Sequence, residues 1–128
     1  MSFVAVLFAG LMFTSCEKKS EAELLLGKWS MVSFTMTEKG TSADVKIESN
    51  EYFYFTFASD GKYVQDVNAQ GEKWTHNGNY ELNGKTLVLE KGTLDEEVYN
   101  ITELTASKLT METKAGTTST IMYLNKVK

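Results

Sequence analysis

From Gly27 to the end of the chain, apolar and polar residues exchange places every second position. In "WTHNGNYELNGKTLVLE", Trp74, His76, Gly78, Tyr80 and Leu82 share one face, while Thr75, Asn77, Asn79 and Glu81 share the other. Phe53, Phe55 and Phe57 alternate with Tyr52, Tyr54 and Thr56, and Leu109, Met111 and Thr113 alternate with Lys108, Thr110, Glu112 and Lys114. Successive side chains of an extended chain point to opposite faces of a sheet, so this period predicts half-buried strands. Turn residues punctuate the pattern at Asp60-Gly61, Gln70-Gly71, Asn83-Gly84, Lys91-Gly92 and Ala115-Gly116. Asn83-Gly84 predicts a two-residue type I′ hairpin turn, which needs positive φ at both positions.

The pattern resolves into about eight strands, near 28–37, 51–58, 62–68, 73–82, 85–90, 97–104, 107–114 and 119–127. No segment between them is long and periodic enough for a crossover helix, so neighbours in sequence pair antiparallel. Proline, which would remove a ladder donor, is absent from the chain. Closing such a meander into an up-and-down barrel removes both of its edges, and an all-β antiparallel barrel is the predicted fold. Strand one changes phase midway: Trp29 and Met31 share one parity, and Val32, Phe34 and Met36 the other. A bulge near Met31–Val32 reconciles the two. The longest connection, Glu38–Asn50, is polar and is expected to lie across one mouth as a lid. Ahead of the strands, Ser20 and Glu23 have capping-box spacing, which predicts one helical turn reaching Leu24–Leu26.

The run "SFVAVLFAGLMF", residues 2–13, is apolar and uncharged. It is shorter than the roughly 20 residues of a membrane-spanning helix and has the length of the central region of a secretory signal. Thr14 and Ser15 follow, then Cys16, the only cysteine, then the polar "EKKSEAE". This resembles the lipobox of bacterial lipoproteins, with Phe13 where leucine is usual. The resemblance implies lipidation (palmitate among the acyl groups) at Cys16, a signal peptide over residues 1–15 and a tether over 16–23. It also implies a lipid-anchored place in a bacterial cell envelope, at the outer membrane and facing periplasm or surface. The domain proper is expected over residues 24–128.

Composition narrows the partners. The net charge of -4 and the absence of a clustered basic patch disfavour nucleic acid. All cationic residues are lysines, so no guanidinium fork is present for bidentate recognition of phosphate or carboxylate. One cysteine forms no internal disulfide, and one histidine leaves no soft metal site. No metal and no cofactor are expected.

Gly27-Lys28-Trp29 after a helical turn, followed by a long first loop and a meander, resembles the lipocalin pattern, in particular the short lipocalin-like domains of bacterial lipoproteins. That resemblance implies that Trp29 plugs the closed end of the barrel. Lipocalins usually cross this tryptophan with an arginine; here Lys126 is the residue in position to replace it, through its stem or a cation–π contact.

The aromatic residues and the histidine supply the candidate binding residues. Trp29, Phe34, Phe53, Phe55, Phe57, Trp74 and Tyr80 are expected inside the barrel, where they form either a packed core or the lining of a mostly apolar pocket. His76 falls on the Trp74–Tyr80 face and, with Tyr63 or Asn125, offers a polar contact; the alternative is a histidine with no special task. Asp95-Glu96-Glu97 lacks the alternating oxygens and central glycine of a calcium loop and reads as a solvated turn. No catalytic pair stands out, so the chain is expected to be a non-enzymatic, membrane-anchored module for a small apolar or amphipathic ligand. The alternative is an envelope protein–protein module such as a periplasmic protease inhibitor or an accessory subunit.

Overall fold

The computed structural model describes residues 19–128; Cys16, the apolar run before it and the first residues of the tether, 16–18, lie outside them. A short helix α1, Glu21–Leu25, precedes nine antiparallel strands. These are β1 Gly27–Glu38, β2 Thr41–Lys46, β3 Tyr52–Phe57, β4 Lys62–Ala69, β5 Glu72–Asn83, β6 Thr86–Leu89, β7 Glu97–Leu104, β8 Lys108–Ala115 and β9 Thr118–Lys126. β1 and then β3 to β9 follow one another around the sheet, and β9 pairs back onto β1 from Trp29↔Lys126 to Glu38↔Thr118. The result is a closed barrel of eight strands, because closure satisfies the donors and acceptors that an open sheet would leave bare.

The ninth strand is β2, and it overturns the lid. Residues 41–46 form a hairpin on the far half of β1, in register from Ser33↔Lys46 to Glu38↔Thr41. Every residue of "TSADVK" is exposed. With neither face buried, the segment has no apolar alternation to read, and its strand character comes from backbone pairing to β1. The bulge is where the phase change put it: the β1–β9 register shifts between Met31 and Ser33. Val32, the extra residue, is exposed, and its carbonyl accepts the Ile47 N–H at 3.0 Å.

The turn at Asn83-Gly84 is of another kind than expected. Asn83 ends β5, and of the two linking residues Gly84 and Lys85 only the glycine has positive φ, at 58°. Glycine in the first central position is the arrangement of a type II′ turn. Positive φ at both central positions is found instead at Gln70-Gly71, 53° and 81°, and at Lys39-Gly40, 49° and 84°, so the β4–β5 and β1–β2 hairpins carry the type I′ geometry.

The barrel is filled by its own side chains. Trp29 and Met31 of β1, Phe55 and Phe57 of β3, Tyr63 of β4, Leu87 and Leu89 of β6, Tyr99 and Ile101 of β7, Leu109 and Met111 of β8 and Leu124 of β9 form one buried cluster. Phe53, Phe55 and Phe57 follow one another along β3 with ring centroids 5.8 and 6.0 Å apart, the first pair tilted and the second stacked. Burying each such ring contributes about 1.5–3 kcal/mol, and the full set leaves the barrel centre to the protein itself.

α1 closes one end. The Ser20 hydroxyl accepts the Glu23 N–H at 3.2 Å while the Glu23 carboxylate accepts the Ser20 N–H at 3.1 Å, completing the capping box. Leu25, fully buried, is driven into the barrel mouth, and its carbonyl accepts the Trp29 indole N–H at 2.8 Å. Lys126 lies over that indole, its Nζ 4.6 Å from the ring centroid, and donates to the Leu26 carbonyl at 2.6 Å. Burial lowers its pKa, and the nearby Lys19 charge adds to the effect. Gly27 makes the crossing possible. Its φ is +113°, and a Cβ there would sit 2.7 Å from the Lys126 Cε.

Candidate functional site

The other mouth is open, and the difference begins with strand length. β5 has twelve residues and β6 only four, so β6 pairs with β5 only from Tyr80 to Asn83. Residues 72–79 of β5 pair with β4 alone. Inward-facing positions on this half of β5 therefore look into a gap between the β4–β5 hairpin and the β6–β7 loop, residues 90–96. The gap is an open cleft of about 610 Å³.

Glu90 forms the inner wall. Its backbone turns with φ +56°, and its N–H donates to the Asn79 carbonyl at 2.9 Å. The carboxylate then stands in for the missing strand. Oε1 accepts the Asn79 N–H at 3.2 Å, and Oε2 lies 2.6 Å from His76 Nε2. A carboxylate at this distance accepts, so Nε2 carries the hydrogen. The hydrogen bond from His76, and after it the one from Asn79, hold the Glu90 carboxyl below the ordinary glutamate range against an opposing effect of burial. Gly78 accommodates this arrangement: a Cβ at that position would come within 2.6 Å of both Glu90 oxygens.

Aromatic and apolar groups form the sides. Tyr63 is buried, with its ring 5.9 Å from the imidazole of His76. Trp74 is 46% exposed at the rim, and Leu94, at the tip of the facing loop, is fully exposed. Asp95, Glu96 and Glu97 complete the lining with Glu90. The Glu97 carboxylate accepts from the Tyr99 hydroxyl at 3.1 Å, and that of Glu96 accepts the Gly92 N–H at 2.8 Å. Among the described residues the ion pairs are His76–Glu90 and Lys91–Glu81, so Asp95, Glu96 and Glu97 are left without a cationic partner. Their field reaches inward: burial first, then Glu90, Glu97 and Asp95, push the Tyr63 hydroxyl up to about 12. Burial and Glu97 likewise raise Tyr99. No group of three or more His, Cys, Asp or Glu side chains among the described residues is placed to hold a metal ion.

The expected interior set thus divides. Trp29, Phe55 and Phe57 are core, and Phe34, Phe53 and Tyr80 pack against it, the Tyr80 hydroxyl donating to the Ala58 carbonyl at 2.7 Å. Trp74 and His76 share the inward parity but stand at the rim, because β5 outruns β6 and the barrel wall that would cover them is missing. Asn125 is exposed on the outer face. The structure brings Trp74 and His76 together with Tyr63. It adds Glu90 and Leu94, which the sequence reading passed over, and turns the acidic run 95–97 from a bare turn into one bank of a cleft. Glu90 carried no signal of its own, because its role depends on where β6 stops.

The lipocalin-like domain family matches residues 25–111. That span runs from the buried Leu25 through β8 as far as Met111, and includes every residue named in the cleft. None of the curated proteins matches the chain.

Proposed function

The chain belongs to the lipocalin-like domain family, and from that membership and the geometry of its open end we propose that it is a non-catalytic binding module for a small amphipathic or apolar molecule. Its site is the rim cleft. What carries the reading is the cleft itself: about 610 Å³ beside a barrel whose centre is already packed. Ligand sites are commonly concavities of about 300–1,000 Å³ with aromatic walls and a few polar groups. Here Tyr63 and Trp74 supply the rings, and the His76–Glu90 pair supplies the fixed polar edge. A half-exposed tryptophan at the rim gains burial when an apolar body lies against it, which favours closure on a ligand.

The module is proposed to hang from a membrane through lipid on Cys16, reaching its ligand within the bacterial envelope. The support is the short apolar run, the small residues before Cys16 and the polar stretch after it. Labelled palmitate should enter the full-length chain and be lost with Cys16→Ser. For the ligand, solvent extraction of protein purified from its envelope, followed by mass spectrometry, should release a small molecule that Trp74→Ala protein does not retain. Extracts of the two proteins with identical contents would reject the rim cleft as the site.

A further inference from the structure

Resting on the reading of the cleft as a ligand site, we infer that its ligand bears a positive charge: an amphiphile with an ammonium-type head and an apolar body. The sign of the lining decides this. Four carboxylates and one imidazole face the cleft, and no lysine is among its lining residues. The Glu90 carboxylate is already engaged by His76 and the Asn79 N–H, which leaves the outer bank of Asp95, Glu96 and Glu97 uncompensated. An anionic head would meet like charge at every approach, whereas a cation meets attraction.

The rest of the lining fits the same molecule. Ring faces attract cations, and tryptophan does so most strongly when the charge sits within about 6 Å of its centroid. Trp74 stands opposite the acidic bank with half its surface bare, and Tyr63 lies deeper on the same side. Leu94 projects fully exposed from the loop that carries the carboxylates, an arrangement that costs burial unless an apolar group comes to meet it. An apolar body between Trp74 and Leu94, with its head at Asp95 and Glu97, uses both features at once.

The test is a matched set of probes on the full-length chain: decyltrimethylammonium, decanol and decyl sulfate, each below its micelle concentration, followed by tryptophan emission. Trp74→Phe removes the local signal and so assigns it to the cleft. The ammonium probe should shift Trp74 emission to the blue and bind about tenfold more tightly than decanol at low salt. Decyl sulfate should bind more weakly than either. Asp95→Asn with Glu97→Gln should bring the ammonium and the alcohol to within about twofold of each other, and high salt should do the same. Equal binding of all three probes, or a preference for the sulfate, overturns the positive charge while leaving an amphipathic site in place. No Trp74-dependent shift with any probe removes the cleft as a binding site, and the inference with it.

Discussion

The two mouths of the barrel use the same kinds of side chain for opposite ends. At the closed mouth a tryptophan is fully buried, its indole N–H is bound to a carbonyl, and a lysine is laid across its face. At the open mouth a tryptophan is 46% exposed, and the charged groups near it are acidic, with Asp95, Glu96 and Glu97 lacking a cationic partner. The difference follows from coverage. At the closed mouth α1 and the end of β9 supply a roof, so every polar group there has to be satisfied inside the protein. At the open mouth the short β6 withdraws the wall, and polar groups are free to be satisfied by water or by a ligand. One end stabilises the fold and the other is left available for binding.

The widest separation between the ends should appear when each tryptophan is removed. Trp29→Ala empties a buried site and frees a carbonyl, and should cost about 3–5 kcal/mol in urea unfolding. Trp74→Ala should change stability by no more than about 0.5 kcal/mol yet abolish the ligand-dependent change in emission. Similar losses for the two would erase the distinction between plug and rim.

A smaller effect probes how the plug is built. Gly27→Ala should cost about 1–3 kcal/mol, partly from positive φ and partly from contact with Lys126. Lys126→Ala should cost about 1–3 kcal/mol, through the lost hydrogen bond to the Leu26 carbonyl and the lost contact with the Trp29 ring. In the double variant the clash no longer exists, so the combined loss should fall short of the sum by about 0.5 kcal/mol or more. Strict additivity would mean that Gly27 is required for its backbone alone.

At the rim, the depressed pKa of Glu90 supplies a pH test. A carboxyl whose folded value lies below its unfolded one contributes stability that is present above the unfolded value, near 4.3, and is lost as pH falls through the folded value. Wild-type urea midpoints should therefore drop on acidification below about pH 4.3 more steeply than those of Glu90→Gln. Parallel curves would show that the His76–Glu90 pair does not bias folding. Gly78→Ala should act in the same place by pushing the Glu90 carboxylate off Asn79 and His76, and it should reproduce the flattened acid limb.

Each part of the molecule was legible in the sequence to the extent that its cause was local. Alternation at Phe53–Phe57 and Leu109–Thr113, the phase change at Met31–Val32 and the Ser20/Glu23 box each report a nearby constraint, and each appears where the pattern put it. β2 left no such trace. Its six residues are exposed on both faces, so pairing with β1 makes it a strand and no burial periodicity announces it.

What the sequence by itself determined is the barrel: one residue in two is apolar, and a period-two chain with short turns has to bury one face, which closure achieves. It also determined which aromatic residues share the inward parity, because parity is a property of the strand. Only the tertiary structure decided which of these are core and which are rim. Trp29 and Trp74 have the same parity and chemistry, and they differ in whether a neighbouring strand extends far enough to cover them. The length of β6, the turn of Glu90 and the placing of residues 95–97 opposite Trp74 arise between segments distant in sequence. Burial and local field are set by what surrounds a residue in space, and that surrounding is assembled only when the chain closes.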